Sequence, residues 1–142
     1  NPFPEQALED VFELDGRDHE WSTLETEDEG YANLARVQGA SREANTVFAR
    51  ISINAEEPVS RSLAFGYSDR VKVFLNRQLV YSGNNTYQSR DYRYLGTVGL
   101  FDSVPLRLAK GRNELWFAVS ESFGGWGIMA AIENRSGLRV TP

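Results

Sequence analysis

The stretch VPLRLAKGRNELWFAV, residues 104–119, contains two runs in which apolar and polar side chains alternate, separated by Lys110-Gly111. The apolar residues at alternate positions are Val104, Leu106 and Leu108 in the first run and Leu115, Phe117 and Val119 in the second. Successive side chains of a β-strand point to opposite faces, so each run predicts a strand that buries one face. The Lys-Gly pair predicts the turn between the two strands.

The same period of two recurs along much of the chain. It is strong in VFARISI (47–53), SLAFGY (62–67), VKVFL (71–75) and GIMAAI (127–132), and weaker in YANLARV (31–37) and LRV (138–140). Turn residues are found between the runs at 55–58, 76–77, 82–85, 110–111 and 134–137. No run repeats apolar residues at helical spacing over three turns. Many short alternating strands without intervening helices predict an all-β fold, an antiparallel β-sandwich or jelly roll.

Length and charge limit the class of protein. A chain of 142 residues suits a single domain around one core. Fifteen Lys and Arg residues against twenty Asp and Glu residues give a net charge of −5. Binding to a phosphate backbone or an anionic bilayer depends on clustered positive charge, so we expect neither nucleic acid nor a membrane as a partner. The sequence also lacks the run of about 20 apolar residues that a membrane-spanning helix needs.

Two residue counts limit the metal and redox chemistry. The chain has no cysteine, which excludes disulfides, thiolate metal sites and cysteine nucleophiles. Its single histidine, His19, cannot build a zinc site that needs several imidazoles. We therefore expect no cofactor, with one alternative for the acidic run ETEDEG (25–30). This run is either a solvated loop or an oxygen-rich loop for a structural calcium ion, although its spacing is not that of an EF-hand.

The beginning of the chain differs from the rest, because residues 1–30 lack the strong alternation seen further on. The chain also starts with Asn1-Pro2 instead of an initiator Met. We expect a single β-sandwich domain over residues 1–142, with 1–30 as a partly irregular N-terminal segment. We further expect this domain to be part of a larger protein.

The sequence contains none of the familiar catalytic motifs. A G-x-S-x-G elbow, a phosphate-binding G-x-x-x-x-G-K-[ST] loop and an H-E-x-x-H helix are all absent. Paired carboxylates suffice for glycoside hydrolysis, so Asp91 and Glu121 could serve a small glycosidase or lyase. Any chain of this length with twenty acids offers such pairs, however. We therefore expect a protein that is not an enzyme.

Aromatic and charged residues are densest in NNTYQSRDYRYLG (84–96). The aromatic residues are Tyr87, Tyr92 and Tyr94, and the charged residues among them are Arg90, Asp91 and Arg93. A sugar has an apolar CH face rimmed by hydroxyls, so its site needs a flat aromatic surface beside fixed donors and acceptors. This segment has both. A structural interpretation stays open, in which Arg90 and Asp91 only bind backbone groups and the tyrosines cover the edge of the sandwich.

The segment SESFGGWG (120–127) offers two further candidates. Glu121 precedes a Gly-Gly pair and is either an acceptor for sugar hydroxyls or an ion-pair partner of Arg90 or Arg93. Trp126 stands among three glycines, and its ring either closes the core or is offered to a ligand. Trp116 alternates with Leu115 and Phe117, so it faces away from the core and lies either under loops or partly exposed.

The order of these motifs resembles that of a known family. VKVFLNRQLVYSG (71–83), a Tyr-bearing loop and then VPLRLAKGRNELWFAV (104–119) resemble the galactose-binding-domain-like β-sandwiches, and the likeness covers roughly residues 45–133. The residues at matching places are Asn76, Lys110, Gly111 and Asn113. These sandwiches occur as carbohydrate-binding modules and as accessory domains of glycoside hydrolases. Arg77 stands where the family's hairpin has Gly, which costs on the order of 1 kcal/mol in a type I′ turn unless the turn is of another type or Arg77 makes a contact.

The resemblance and the aromatic segment together favour a non-catalytic carbohydrate-binding module that targets or supports a polysaccharide-active enzyme. The expected ligand-binding residues are Tyr87, Arg90, Asp91, Tyr92, Glu121 and Trp126. The expected partners are an oligo- or polysaccharide and a neighbouring catalytic domain in the same chain, in a secreted bacterial protein of the extracellular space or periplasm. The alternative is a structural, interdomain packing domain without its own ligand, which would expose an apolar patch.

Overall fold

The computed structural model describes residues 32–33, 46–84, 102–120 and 127–141, and their regular structure consists of β-strands. The strands are β1 (Ala32–Asn33), β2 (Thr46–Ala55), β3 (Val59–Ser68), β4 (Arg70–Leu75), β5 (Gln78–Asn84), β6 (Asp102–Leu108), β7 (Gly111–Ser120), β8 (Gly127–Ile132) and β9 (Leu138–Thr141). All pairings between these strands are antiparallel. The all-β prediction is therefore confirmed.

The strands form two sheets, one in the order β1-β8-β3-β6 and the other in the order β5-β4-β7-β2-β9. The pairs β1–β8, β2–β7, β3–β6 and β4–β5 are all hydrogen-bonded neighbours. These four pairs are the ones that a single long antiparallel hairpin makes when it is rolled up into two facing sheets. The predicted antiparallel sandwich is thus a jelly roll, with β9 added at one edge.

The core between the sheets is built by the alternating side chains that the sequence singled out. The apolar residues with no exposed surface are Ile53, Leu63, Phe65, Val73, Leu106, Leu115 and Val119. They come from five different strands of both sheets and belong to one buried cluster. Burying a side chain of this size stabilises the fold by about 1.5–3 kcal/mol, so the two-layer core is the main source of stability.

One predicted turn is wrong. Residues 82–85 were expected to form a turn, but β5 continues through Asn84. Ser82, Gly83 and Asn84 pair with three consecutive residues of β4. Their low strand propensity does not prevent this, because pairing with a neighbouring strand outweighs intrinsic preference in a sheet.

Asn113 is a fully buried polar residue that joins three parts of the fold. Its Nδ2 donates to the carbonyl oxygens of Ala109 at 2.8 Å, Gly111 at 3.1 Å and Ile53 at 3.3 Å. Its Oδ1 accepts from the backbone N of Ala109 and from Nδ2 of Asn76, both at 2.9 Å. One side chain therefore connects the β6–β7 turn, strand β2 and the β4–β5 hairpin. We call this side of the sandwich the Asn113 end.

Replacing Asn113 by Ala is expected to lower the free energy of unfolding by about 3 kcal/mol, because several buried backbone groups lose their partners. Urea unfolding followed by tryptophan fluorescence measures the loss. Arg112→Ala is the matched control on the same strand. Arg112 is exposed and pairs with Glu114 at 3.2 Å on the surface. Its replacement should change stability by less than about 0.5 kcal/mol, and equal losses in both variants would contradict the role of Asn113.

The β4–β5 hairpin turns through two residues, Asn76 and Arg77, which have φ values of 49° and 69°. Positive φ at both central positions is the geometry of a type I′ turn, so Arg77 does occupy a left-handed conformation that favours glycine. Asn76 also accepts a hydrogen bond from the backbone N of Glu114 at 2.9 Å through its Oδ1. The hairpin is therefore held to β7 by Asn76, and the strain falls on Arg77.

Arg77→Gly is expected to raise the free energy of unfolding by up to about 1 kcal/mol, because glycine adopts a positive φ without steric cost. Parallel thermal and urea unfolding of the variant and the parent protein measures the gain. Asn76→Gly at the adjacent position should instead destabilise the protein, since it removes the hydrogen bonds to Asn113 and Glu114. A loss of stability in Arg77→Gly would mean that contacts of the arginine outweigh the backbone strain.

Candidate functional site

Four strands of the five-stranded sheet reach the same level at the end of the sandwich opposite Asn113. Arg70, the first residue of β4, is the register partner of both Asn84 on β5 and Ser120 on β7. Ser120 in turn pairs with Thr46 on β2, and the two hydroxyls share a buried hydrogen bond of 2.7 Å. The backbone N of Asp69 donates to the carbonyl oxygen of Ser120 at 2.9 Å. We call this side of the sandwich the Arg70 end.

The outer face of the sheet at the Arg70 end carries polar and charged residues. Val71 and Val73 of β4 point into the core, so the alternating residues Arg70 and Lys72 lie on the opposite face. A cavity of about 240 Å³ opens there. It is lined by Arg70, Val71, Lys72, Ser82, Gly83, Asn84, Ala118 and Ser120. Among the described residues, the lining therefore combines two cations with amide and hydroxyl groups and contains no carboxylate.

An apolar cluster of Phe48, Phe74, Trp116 and Ala118 lies next to this cavity on the same outer face. Phe74, Trp116 and Ala118 are buried, and Phe48 packs its ring edge-to-face on Trp116 with centroids 5.9 Å apart. Of the two interpretations of Trp116, partial exposure is wrong, since only 4% of its surface is accessible. Trp116 thus stabilises the sheet beside the cavity and offers no free face for a ligand.

Gly83 forms part of the cavity wall, and on the core side of the sheet its backbone is in close contact with a tyrosine side chain. A Cβ atom at this position would collide with the hydroxyl of Tyr67 and would come within 2.7 Å of Cε1 of Tyr81. Tyr67 is 1% exposed, and its ring stacks on Phe65 with centroids 6.0 Å apart. The absence of a side chain at Gly83 is therefore what lets the Tyr67 hydroxyl fit between the core and β5.

Gly83→Ala is expected to destabilise the protein by about 2 kcal/mol, because the added methyl group overpacks this site. Tyr67→Phe removes the colliding hydroxyl and should recover part of that loss when the two changes are combined. Urea unfolding of both single variants and the double variant gives the coupling energy between the positions. Strictly additive losses would show that Tyr67 does not limit the size of residue 83.

All six residues that the sequence proposed as ligand-binding lie outside the described residues. They are Tyr87, Arg90, Asp91 and Tyr92 in the segment 85–101, and Glu121 and Trp126 in the segment 121–126. Asn84 and Ser120 are the last described residues before these segments, and they flank Arg70 on its two sides. The structure therefore brings together the points at which both segments start. The roles of the six side chains, including the interpretation of Trp126 as a core residue, stay predictions.

Sequence reasoning missed the residues that line the cavity, above all Arg70, Lys72 and Asn84. The one available indication was the alternation in VKVFL, which places Lys72 on the polar face of its strand. Polar faces of strands commonly carry Lys or Arg, so this pattern alone does not indicate a site. Only the pairing of β4 with β5 and β7 shows which neutral residues surround the two cations.

The described part of the chain contains neither a metal-binding cluster nor a membrane-spanning helix. There, no group of three or more Asp, Glu or His residues is placed to hold a metal ion. The acidic run 25–30 lies outside that part, so the calcium alternative stays a prediction. Within the same ranges, the structure has no helix of the length and apolarity that crossing a bilayer requires.

No protein-family model and no curated protein sequence matches the chain. Two solved structures are similar to it. A family 35 carbohydrate-binding module from an environmental isolate matches 83% of this chain over 85% of its own length, with 16% identity and a TM-score of 0.49. A β-glucosidase from Kluyveromyces marxianus matches 78% of this chain with 12% identity and a TM-score of 0.52, and the match spans 15% of the β-glucosidase.

At 12% identity, the likeness to one part of the β-glucosidase concerns the fold alone. The described residues form two antiparallel sheets of a jelly-roll sandwich. The resemblance to the galactose-binding-domain-like sandwiches is therefore confirmed for the fold. Neither the sugar nor the reaction of a similar protein is carried over to this chain by that likeness.

Proposed function

We propose that this domain is a non-catalytic carbohydrate-binding module. The observation that supports the proposal is the Arg70 end of the five-stranded sheet. A polar cavity opens there, and the two segments richest in candidate sugar-binding residues both start beside Arg70. Binding residues commonly lie on loops that a rigid scaffold holds in place.

The chemistry of the cavity suits the hydroxyl groups of a sugar. Asn84 and Ser82 are exposed on β5 and can donate and accept hydrogen bonds. Arg70 adds planar donors, and the tyrosines of the segment 85–101 would add the aromatic surface on which a pyranose ring stacks. The proposed module needs no cofactor. It would act outside the cytoplasm, next to a catalytic domain that it targets to polysaccharide.

Calorimetric titration with a panel of neutral and acidic oligosaccharides tests this function. We expect binding of at least one of them with a Kd of roughly 10 µM to 1 mM, because a shallow, hydrated site gains little beyond the cost of ordering. Asn84→Ala should weaken that binding about fivefold through the loss of a hydrogen bond. Asn54→Ala is the matched control, since Asn54 is exposed on β2 of the same sheet near the Asn113 end.

The same titrations distinguish the module from an interdomain packing domain. Tyr92→Ala and Trp126→Ala should reduce binding with little change in melting temperature if these rings contact the sugar. A large fall in melting temperature in both variants, without any sugar bound by the parent protein, would contradict the proposal. The packing alternative also needs an exposed apolar patch, and among the described residues Leu79 is the only large hydrophobic residue that is exposed.

A further inference from the structure

The turn between β8 and β9 carries a three-residue pattern that the proposed function does not use. Asn134-Arg135-Ser136 fits Asn-x-Ser/Thr, the acceptor pattern for N-linked glycosylation. A second match, Asn84-Asn85-Thr86, begins at the last residue of β5. The pattern is short enough to arise by chance, so the structural context of each asparagine decides what the match means.

Hydrogen bonds hold the backbone of the β8–β9 turn in place. Arg61 on β3 donates through Nε to the carbonyl oxygen of Asn134 at 2.9 Å and through Nη2 to that of Ser136 at 3.1 Å. Within the turn, the backbone N of Leu138 donates to the carbonyl oxygen of Arg135 at 3.1 Å. All residues from 133 to 137 are exposed. The match at Asn134 therefore lies on a well-defined surface loop, which is the context that an acceptor asparagine needs.

The side chain of Asn134 has one engaged end and one free end. Asn134 has a φ of 56°, a left-handed conformation that asparagine tolerates. Its Oδ1 accepts a hydrogen bond from the backbone N of Ser136 at 3.1 Å. This bond fixes the oxygen of the amide, while Nδ2 has no hydrogen-bond partner among the described residues. Nδ2 is the atom to which an N-linked glycan is attached.

The turn also lies far from the proposed sugar-binding site. Strand β9 begins with Leu138, which pairs with Ala55 at the Asn113 end. From Ala55, strand β2 runs to Thr46 at the Arg70 end, a distance of about 30 Å at the usual rise of a strand. A glycan on Asn134 is therefore attached clear of the cavity. A glycan on Asn84 would enter the cavity, because Asn84 lines it.

We propose that Asn134 is an acceptor for N-linked glycosylation when the protein is exported past an oligosaccharyltransferase. Nδ2 forms a bond to the anomeric carbon of an oligosaccharide that is linked to a lipid pyrophosphate. The bond between that carbon and the pyrophosphate oxygen breaks, and the lipid pyrophosphate leaves with the electron pair. One proton of the amide passes to a base of the transferase. This modification is independent of which ligand the domain binds.

Secretion of the protein from yeast cells tests the acceptor site. The protein carries Thr86→Ala, which removes the second match and leaves Asn84 in place. We expect a product that bears carbohydrate and loses it on treatment with peptide N-glycosidase F. Because that enzyme converts the glycosylated asparagine to aspartate, tandem mass spectrometry should then find Asp at position 134.

Two variants of Ser136 provide the control. Ser136→Ala removes the hydroxyl that the pattern requires and keeps the backbone N that bonds to Asn134, so the secreted protein should carry no glycan. Ser136→Thr keeps the pattern and should keep the glycan. After enzymatic removal of any glycan, the melting temperatures of both variants should lie within about 2 °C of the parent, since residue 136 is exposed.

Three results would overturn the inference. The first is a secreted, folded protein in which Asn134 is unmodified. The second is a glycan that persists in Ser136→Ala, because the modification would then lie elsewhere. The third is a glycan on the unsubstituted chain that disappears with Thr86→Ala, because this would assign the modification to Asn84.

Discussion

The ten-residue antiparallel ladder between β2 and β7 is the constraint on which the rest of the structure depends. It runs without interruption from the pair Thr46–Ser120 to the pair Ala55–Gly111. A slip of one residue would turn Trp116 into the core and Leu115 out of it, so the alternation of side chains permits one register only. Asn113 secures that register, because its side chain reaches the carbonyl of Ile53 across the ladder.

The same ladder determines where the outer-face cavity lies. Strand β4 pairs with β7 in a register that sets Arg70 beside Ser120 and Lys72 beside Ala118, and β5 closes the other side. The fit of Tyr67 against Gly83 holds β5 close to the core at this level. The inner face of the sheet packs densely against the apolar core, while its outer face at the Arg70 end combines cations with small neutral residues. This asymmetry between the two faces is the physical basis of the proposed site.

The proposed site is therefore defined by its position at one end of the sheet and by its charge. The fold is shared with proteins of diverse activity, and a sandwich of this kind does not determine its ligand. What distinguishes this chain is a cavity lined by Arg70 and Lys72 in a domain of net charge −5. Two segments start next to it, of which 85–101 contains three tyrosines, two arginines and one aspartate and 121–126 contains Glu121 and Trp126. The cross-strand partners of Lys72, Ala118 and Ser82, are neutral, in contrast to Arg112, which has Glu114 as its partner on the surface.

The sequence by itself determined the all-β class, the positions of most strands and the residues of the core, because alternation is a local property that can be read along one strand. It also indicated the importance of Asn113 through its place in a family pattern, but not its hydrogen bonds. Only the tertiary structure decided the jelly-roll order, the extension of β5 through Asn84 and the cavity around Lys72. These features depend on pairing between distant residues, such as Thr46 and Ser120, which are 74 positions apart. A local pattern does not indicate which strands pair with each other. The sequence could therefore place Lys72 on a polar face but could not show which residues surround it.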